Sequence, residues 1–367
     1  MQPFIPSKLP LDISNWNLTK ILGKVSEASA SLAYYNGILK SMINPNIFLS
    51  PLETKEAILS SRIEGTVTTI DEVLKYELDF KPEGTSKQDD IIEVLNYRNA
   101  TRFAKDWIQR EMPFNLTMIC AIQKELITSV RGKDKKPGEL RIEQVWIGPK
   151  FSKIEDASFV PPEPLSVKGY LENLLTFLRS DEPEVLIQTA IMHAQFEIIH
   201  PFMDGNGRTG RILIPLFLWH KKRLTSPNFY ISEYFDEYRD AYIGGLSSIS
   251  QENDWEGWVS FFLDAVNVQA QRNADKAIQV LSLYGEMKDR IARIINSPSG
   301  IKILDALFSS PIFRTSDFAK VSELIPQTAF RAIKKLKKEG ILSTIQKPSG
   351  SSPEVFRFDK LYLLLND

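Results

Sequence analysis

From Leu18 to Met42 apolar residues recur three and four positions apart, the period of an amphipathic helix. The next start signal is Ser50-Pro51-Leu52-Glu53: Ser50 can cap, Pro51 suits a first turn, and Glu53 completes a capping box. This predicts a helix over about residues 50–63, stopping at Gly65. Helical spacing returns at Ile70–Leu78, Asp89–Arg110, Leu116–Val130 and Val167–Leu178. Glu184 to Ile199 is strongly periodic and ends at Pro201; another helix opens near Arg208, and Pro215 is expected to kink it. Asp236–Leu246 and Trp255–Ala277 follow as helices.

Two stretches break this pattern. Arg131 to Pro164 is rich in Gly, Pro and charge, and its pieces Gln144–Ile147 and Ser158–Val160 predict a small hairpin turning through Gly148-Pro149. After Ser297 come three short helical patterns, Gly300–Phe308, Thr315–Val321 and Pro326–Glu339. Two strands, Gly340–Gln346 and Val355–Phe358, then flank a Ser/Gly/Pro turn, which is the order of a winged helix-turn-helix. The expected class is mainly α, with a small β-hairpin flap and a C-terminal winged helix-turn-helix domain. A chain of 367 residues exceeds one ordinary core. The expected division is an N-terminal helical region over 1–110, a catalytic core over 111–290, and the winged helix over 298–367.

Composition narrows the function classes. Hydrophobic and charged contents of 43% and 25% are those of ordinary globular proteins, and a net charge of −1 gives no global attraction for nucleic acid or anionic membrane. The single cysteine, Cys120, excludes an internal disulfide, and three histidines are few for a histidine-rich metal site. The N-terminus lacks a signal-peptide pattern, and the longest apolar run, Ile212 to Trp219, is too short to cross a bilayer. A cytoplasmic protein without a membrane partner is expected.

Candidate chemistry is concentrated in His200-Pro201-Phe202-Met203-Asp204-Gly205-Asn206-Gly207-Arg208-Thr209-Gly210-Arg211. A helix delivers His200 to a loop that opens the next helix. Gly205 and Gly207 let backbone N–H groups converge at that helix N-terminus, as an anion cradle requires. Arg208 and Arg211, three apart, can bind one polyphosphate, and Asp204 can offer an oxygen to Mg²⁺. His200 can accept a proton from a hydroxyl, and Phe202 can anchor the loop. Each residue alone has a plainer explanation, such as a satisfied histidine, surface arginines or a simple turn. Six matched features within twelve residues favour the chemical one. Gly205 to Gly210 also fits the dinucleotide pattern G-x-G-x-x-G, but a helix precedes it and no acid-ended strand follows.

The run resembles the signature of the Fic (filamentation induced by cAMP) family, HPFx[DE]GNGRxxR, at every defined position. The resemblance extends to His193 and Phe196 upstream and to Val145-Trp146-Ile147-Gly148. It implies a Fic-type helical core and ATP with Mg²⁺ as substrate. AMP would pass to a Ser, Thr or Tyr hydroxyl of an unidentified protein or of the chain itself. By the same resemblance His200 is the base and Asp204 the metal ligand. Gly205, Asn206, Gly207, Arg208, Gly210 and Arg211 form the ATP site. Tyr242, on a late helix, is a candidate contact for adenine or ribose, with core packing its plainer role. The kinase-like branch of the family has lysine at the second motif glycine; here it is Gly207.

Ser60-Ser61-Arg62-Ile63-Glu64-Gly65 places Ser60 and Glu64 on one helix face, with an acid at the helix end where the macrodipole disfavours it. A solvated acid is the plain reading. The segment resembles the Fic inhibitory motif [ST]xxxE[GN], which implies that Glu64 pairs with Arg211 and blocks the γ-phosphate, with Ser60 and Gly65 completing the motif. The hairpin resembles the Fic flap that aligns a target by strand addition. In the tail, eleven basic residues face seven acidic ones from Ile301 to Asp367, leaving DNA or protein docking open. Three other functions compete: AMP removal with Glu64 orienting water, transfer from another phosphate-linked donor, and a DNA-binding regulator whose core senses ATP. A homodimer is also left open.

Overall fold

The computed structural model describes residues 2–42, 45–80, 82, 84–128, 133–149, 153–180, 184–348 and 353–366. In chain order the N-terminal helices are α1 (Leu18–Ser41), α2 (Pro45–Ile63), α3 (Ile70–Glu77), α4 (Thr85–Gln109), α5 (Leu116–Ile127) and α6 (Pro164–Arg179). The next five are α7 (Val185–Ile199), α8 (Asn206–His220), α9 (Ser232–Glu237), α10 (Arg239–Glu252) and α11 (Trp255–Ile295). The C-terminal segment runs α12 (Gly300–Ser309), β1 (Ile312–Arg314), α13 (Thr315–Val321), α14 (Pro326–Lys338), β2 (Leu342–Gln346), β3 (Val355–Phe358) and α15 (Asp359–Asn366). The mainly α class expected from the sequence is what is found.

Local chemistry sets the helix starts. Asn17 caps α1 by accepting the Lys20 N–H at 3.1 Å, and Asn115 caps α5 by accepting the Met118 N–H at 3.0 Å. Thr69 and Glu72 form a full capping box at α3. The start expected at Ser50 is wrong. The helix begins at Pro45, Pro51 lies inside it, and the Ser50 carbonyl accepts a bond from the Thr54 hydroxyl at 3.4 Å. Pro45 supplies the first-turn proline instead, and Glu53 bonds to Lys105 rather than back to a cap.

The spine is α11, whose 41 residues outrun the expected stop at Ala277. Its apolar period continues through Val280, Leu283, Met287 and Ile291, all buried. One stretch packs on α1, α7, α9 and α10; the other receives α12, α14 and α15. Tyr284 there donates to Asp305 at 2.6 Å and Arg290 to the Glu339 carbonyl at 2.7 Å.

The C-terminal sheet has the order β1-β3-β2, antiparallel throughout, with Phe356 opposite both Phe313 and Thr344. Strand β1 and helix α15 were not foreseen. The sheet closes on α3 through Leu78, Ile312 and Val355, and Arg314 bonds both Asp317, at 2.7 Å, and Asp79, at 3.1 Å. The tail thus also reaches α2, against which α12 and α15 pack.

The expected hairpin is reduced to one antiparallel bridge, Ile147 with Phe159. Gln144 explains the missing ladder: its side-chain amide donates to the Val145 and Pro161 carbonyls at 3.0 and 2.9 Å, and Pro161 and Pro162 have no N–H to give. Residues 150–152 of its turn, 349–352 of the tail turn and Val130 lie outside the described residues. No helix among the described residues is long and apolar enough to cross a membrane.

Trp258 is 1% exposed, and its indole N–H donates to the Ala190 carbonyl at 2.8 Å, tying α11 to α7. Trp258→Ala should therefore cost about 3–5 kcal/mol of stability, measured by urea denaturation.

Candidate active site

Helix α7 is buried on nearly every face, so its end is a fixed point. It stops at His200, which adopts a left-handed conformation (φ 48°, ψ 60°) that costs a residue with a Cβ about 1–3 kcal/mol. Pro201 then cannot continue the helix. The loop is closed from within by Asn206. Its Oδ1 accepts the Phe202 N–H, and its Nδ2 donates to the Phe202 carbonyl, both at 2.8 Å. Phe202 is wholly buried, as expected of an anchor. Gln123, also wholly buried, donates to the Asp204 carbonyl at 2.9 Å and accepts the Gly138 N–H at 2.6 Å.

Gly205 starts α8 at φ 78°, and an added Cβ would lie 2.9 Å from Ile127. A Cβ on Gly207 would lie 2.1 Å from Glu64 Oε1. The Glu64 carboxylate therefore rests directly on the glycine that opens the cradle. Gly210 is covered in the same way by Glu197, whose Oε1 would be 2.2 Å from an added Cβ.

Arg211 is 1% exposed and fully engaged by the end of α2. It donates to Ser60 Oγ and to the Ser60 carbonyl at 2.8 Å each, and to Glu64 Oε1 at 2.7 Å. Gly65, with φ 96°, ends the helix just beyond. Arg208 pairs with Glu93 at 3.1 Å and lies 3.6 Å from Asp204. Asp204 Oδ1 also accepts the Gly205 N–H at 2.6 Å, while its side chain remains 41% exposed. Burial pushes the Glu64 carboxyl up, but Arg211 outweighs it, and the net shift is downward.

His200, Glu64, Glu197, Gly207 and Arg211 line one cavity of about 530 Å³ together with Trp146 and Ile147 of the flap, whereas Asp204, Gly205, Arg208 and Gly210 are not among its lining residues. Tyr242 also lines it, although it is only 2% exposed and shares its hydroxyl with His193 Nε2 at 2.9 Å. His193 stacks among Phe235, Tyr242 and Trp258. Asn206 and Thr209 face inward rather than into the cavity, and their polar atoms serve the loop itself.

Sequence reasoning missed Gln123, Glu93, Arg141 and Glu197. The first three are remote in the chain from the motif they support. Glu197 had a signal, one helical turn before His200, but an acid inside an apolar helix carries no period of its own.

Burial drives the remaining titrations. It lowers His200 to about 4, with Arg141 adding to the depression while the Glu197 carbonyl, Glu64 and Asp204 oppose it. It lowers His193 to about 3 and raises Glu197 to about 8 and Glu56 to about 7.

The Fic/DOC family N-terminal model matches residues 22–106, and the Fic/DOC family model matches residues 113–218, together about half of the chain. The second span contains the whole run from His200 to Arg211. The chain belongs to the Fic/DOC family. A probable protein adenylyltransferase of Aquifex aeolicus is 28% identical over 221 residues, covering 59% of this chain and 62% of that protein. The protein adenylyltransferase Fic of Nematostella vectensis is 25% identical, covering 43% and 36%. This Fic/DOC chain thus spans less than two thirds of the length of these curated relatives. Its fold is similar to that of a Fic family protein from Desulfovibrio desulfuricans, with a TM-score of 0.61 at 19% identity over 98% of both chains. Fic-1 of C. elegans gives 0.53 at 19% identity over 70% of this chain and 72% of the other.

The buried groups set a pH profile for stability. Below about pH 6.5 the unfolded chain protonates His193 and His200 while the fold keeps them neutral, so stability falls toward acid. Above about pH 4.5 the unfolded chain ionises Glu56 and Glu197 while the fold keeps them protonated until about 7 and 8, so stability falls toward alkali. The two trends offset each other between about pH 4.5 and 6.5, and urea denaturation should show a plateau there with losses on both sides. Glu197→Gln should remove one proton from the alkaline slope, about 1.4 kcal/mol per pH unit.

Proposed function

We propose that this chain transfers AMP from ATP to a protein hydroxyl and that Glu64 restrains the reaction. The observation that carries the reading is the Glu64 carboxylate, an anion resting on Gly207 and bonded to Arg211 at 2.7 Å. It occupies, at a helix N-terminus, the kind of place a phosphate takes. The names of the Aquifex and Nematostella relatives support adenylyl transfer in particular.

In this scheme the cradle of Gly205 to Gly207 and the guanidinium of Arg208 hold the phosphates. His200, neutral at physiological pH, takes the proton of a Ser, Thr or Tyr hydroxyl as its oxygen attacks the α-phosphorus. The bond to the bridging oxygen breaks, and pyrophosphate carries away the electron pair. Phosphate charge near the imidazole favours its protonated form, which suits a base that must hold the proton it receives. Arg211 binds the γ-phosphate once Glu64 has moved aside. Asp204, exposed beside the loop, suits Mg²⁺, which takes one or two carboxylates and otherwise uses phosphate oxygens and water. Among the described residues no cluster of three or more ligating side chains stands ready for a metal, as befits an ion that arrives with its nucleotide. Bound there, Mg²⁺ would neutralise phosphate charge. The flap, with Trp146 and Ile147 both 42% exposed, offers an edge for the target segment.

The test uses ATP labelled at the α- or the γ-phosphate, Mg²⁺, and the wild-type and Glu64→Gly chains. Protein-bound label is expected from the α position only, at least about tenfold stronger in Glu64→Gly and absent after His200→Ala. Label from γ alone would make the chain a kinase, and equal rates for wild type and Glu64→Gly would remove the brake. AMP released from a pre-modified protein by wild type but not by Glu64→Gly would reverse the direction of the reaction.

The tail supports a second activity. The order α12, α13, α14, β2, β3 is that of a winged helix, and Arg331, Lys334 and Lys338 are exposed on α14. Duplex DNA is the partner this basic face fits. Lys334→Glu should abolish salt-sensitive retardation of a duplex on a gel; retention of binding would remove this helix from the interface.

A further inference from the structure

Arg141 lies outside the motif that carries the proposed chemistry, and it is only 1% exposed. Its Nε donates to the His200 carbonyl at 2.8 Å. Its Nη2 donates to the Pro162 carbonyl at 2.5 Å and the Ile199 carbonyl at 3.4 Å, and its Nη1 to the Glu143 carbonyl at 3.3 Å. The Arg141 backbone N–H donates to the Pro201 carbonyl at 2.9 Å. Among the described residues no carboxylate forms an ion pair with it. A buried cation without a counterion is costly unless its donors are satisfied. Here carbonyls satisfy it, two of them at the C-terminus of α7, where the helix dipole favours positive charge. Burial lowers Arg141 only to about 10, so it stays charged at neutral pH.

The guanidinium thus grips Ile199 and His200 together with both stems of the flap, and the Arg141 backbone N–H adds Pro201. His200 sits in the middle of that grip, in a backbone conformation that it would not hold unaided. We propose that Arg141 is the positioning residue for His200, holding it left-handed with its imidazole toward the cavity and locking the flap stems to it. The role rests on His200 being the base, as read above. Lysine is no substitute, since a single ammonium cannot span four carbonyls set around a planar fork.

Two readouts separate positioning from simple stabilisation. The chain has three histidines, so ring-labelled histidine gives three imidazole signals, and His200→Gln assigns one. In Arg141→Gln, His200 should titrate about one pH unit higher, because a neighbouring cation is gone and water reaches the ring. In Arg141→Lys on the Glu64→Gly background, kcat should fall at least about tenfold while the calorimetric Kd for MgATP stays within about twofold. An unchanged His200 titration, or a Kd that rises in step with the loss of rate, would overturn the proposal. If Arg141→Gln does not fold, the Lys variant decides through its rate and its MgATP affinity. A Glu64→Gly chain that transfers no AMP, with His200 still moving in Arg141→Gln, would sink the transfer reading and leave the positioning role standing.

Discussion

The buried guanidinium of Arg211 is the constraint around which the site is arranged. At 1% exposure it cannot exchange a lost partner for water, so an anion must stay beside it. Breaking a buried pair by removing one member costs about 3–5 kcal/mol, far more than a surface pair is worth. Ser60 supplies two neutral acceptors and Glu64 the charge. The asymmetry lies in exposure: the Glu64 side chain is 40% exposed, so its carboxylate can return to water, whereas Arg211 has nowhere to go. An incoming phosphate can therefore replace the carboxylate without leaving a buried charge alone. A buried cation that demands an anion would give the proposed brake its electrostatic basis.

The neighbouring groups keep that demand sharp. His193 and His200 are held neutral by burial, and Glu197 is held protonated, so none of them competes for Arg211 at neutral pH. Arg208 is assigned elsewhere, to Glu93, which also accepts the Thr66 hydroxyl at 3.0 Å. Glu93 thus ties α4 to both the loop after α2 and the start of α8. The loop between α7 and α8 owes its shape to neutral hydrogen bonds from Asn206 and Gln123, and these do not change with the charge state of the site.

The sequence disclosed those parts of the protein whose rules are local. Thr315–Val321 and Val355–Phe358 fall where their patterns put them, and α1 starts at Leu18 as its apolar period predicts. The pairing of Glu64 with Arg211, inferred from a motif, is present in the structure, and Ser60 adds two acceptors that the motif did not announce. What escaped depends on distance in the chain. Arg141 looks like an ordinary surface cation until the end of α7 is folded against it, and Gln123 gains its importance only from Asp204 and Gly138. The false start at Ser50 has a local cause of another kind. Pro51 reads as a first-turn residue, but the helix already begins six residues before it and tolerates it. The hairpin failed because prolines removed the donors that a ladder needs.

How the proposed brake lets go follows from what α2 is attached to. Glu56, midway along α2, accepts the Ser232 hydroxyl at 2.6 Å and the Ser232 N–H at 3.0 Å. Arg239 donates to the Ile63 carbonyl at 3.2 and 3.3 Å, and α12 and α15 of the tail press on the same helix. Displacing α2 would break all of these together and strip Ser60 from Arg211 as well. Glu64 lies one residue past the helix, next to Gly65, whose backbone has freedom that other residues lack. Rotating that turn moves the carboxylate and leaves the helix, the tail contacts and both Ser60 bonds intact. Under the proposed brake, release by a local swing would therefore be much cheaper than release by helix motion, since α12 and α15 pack on α2.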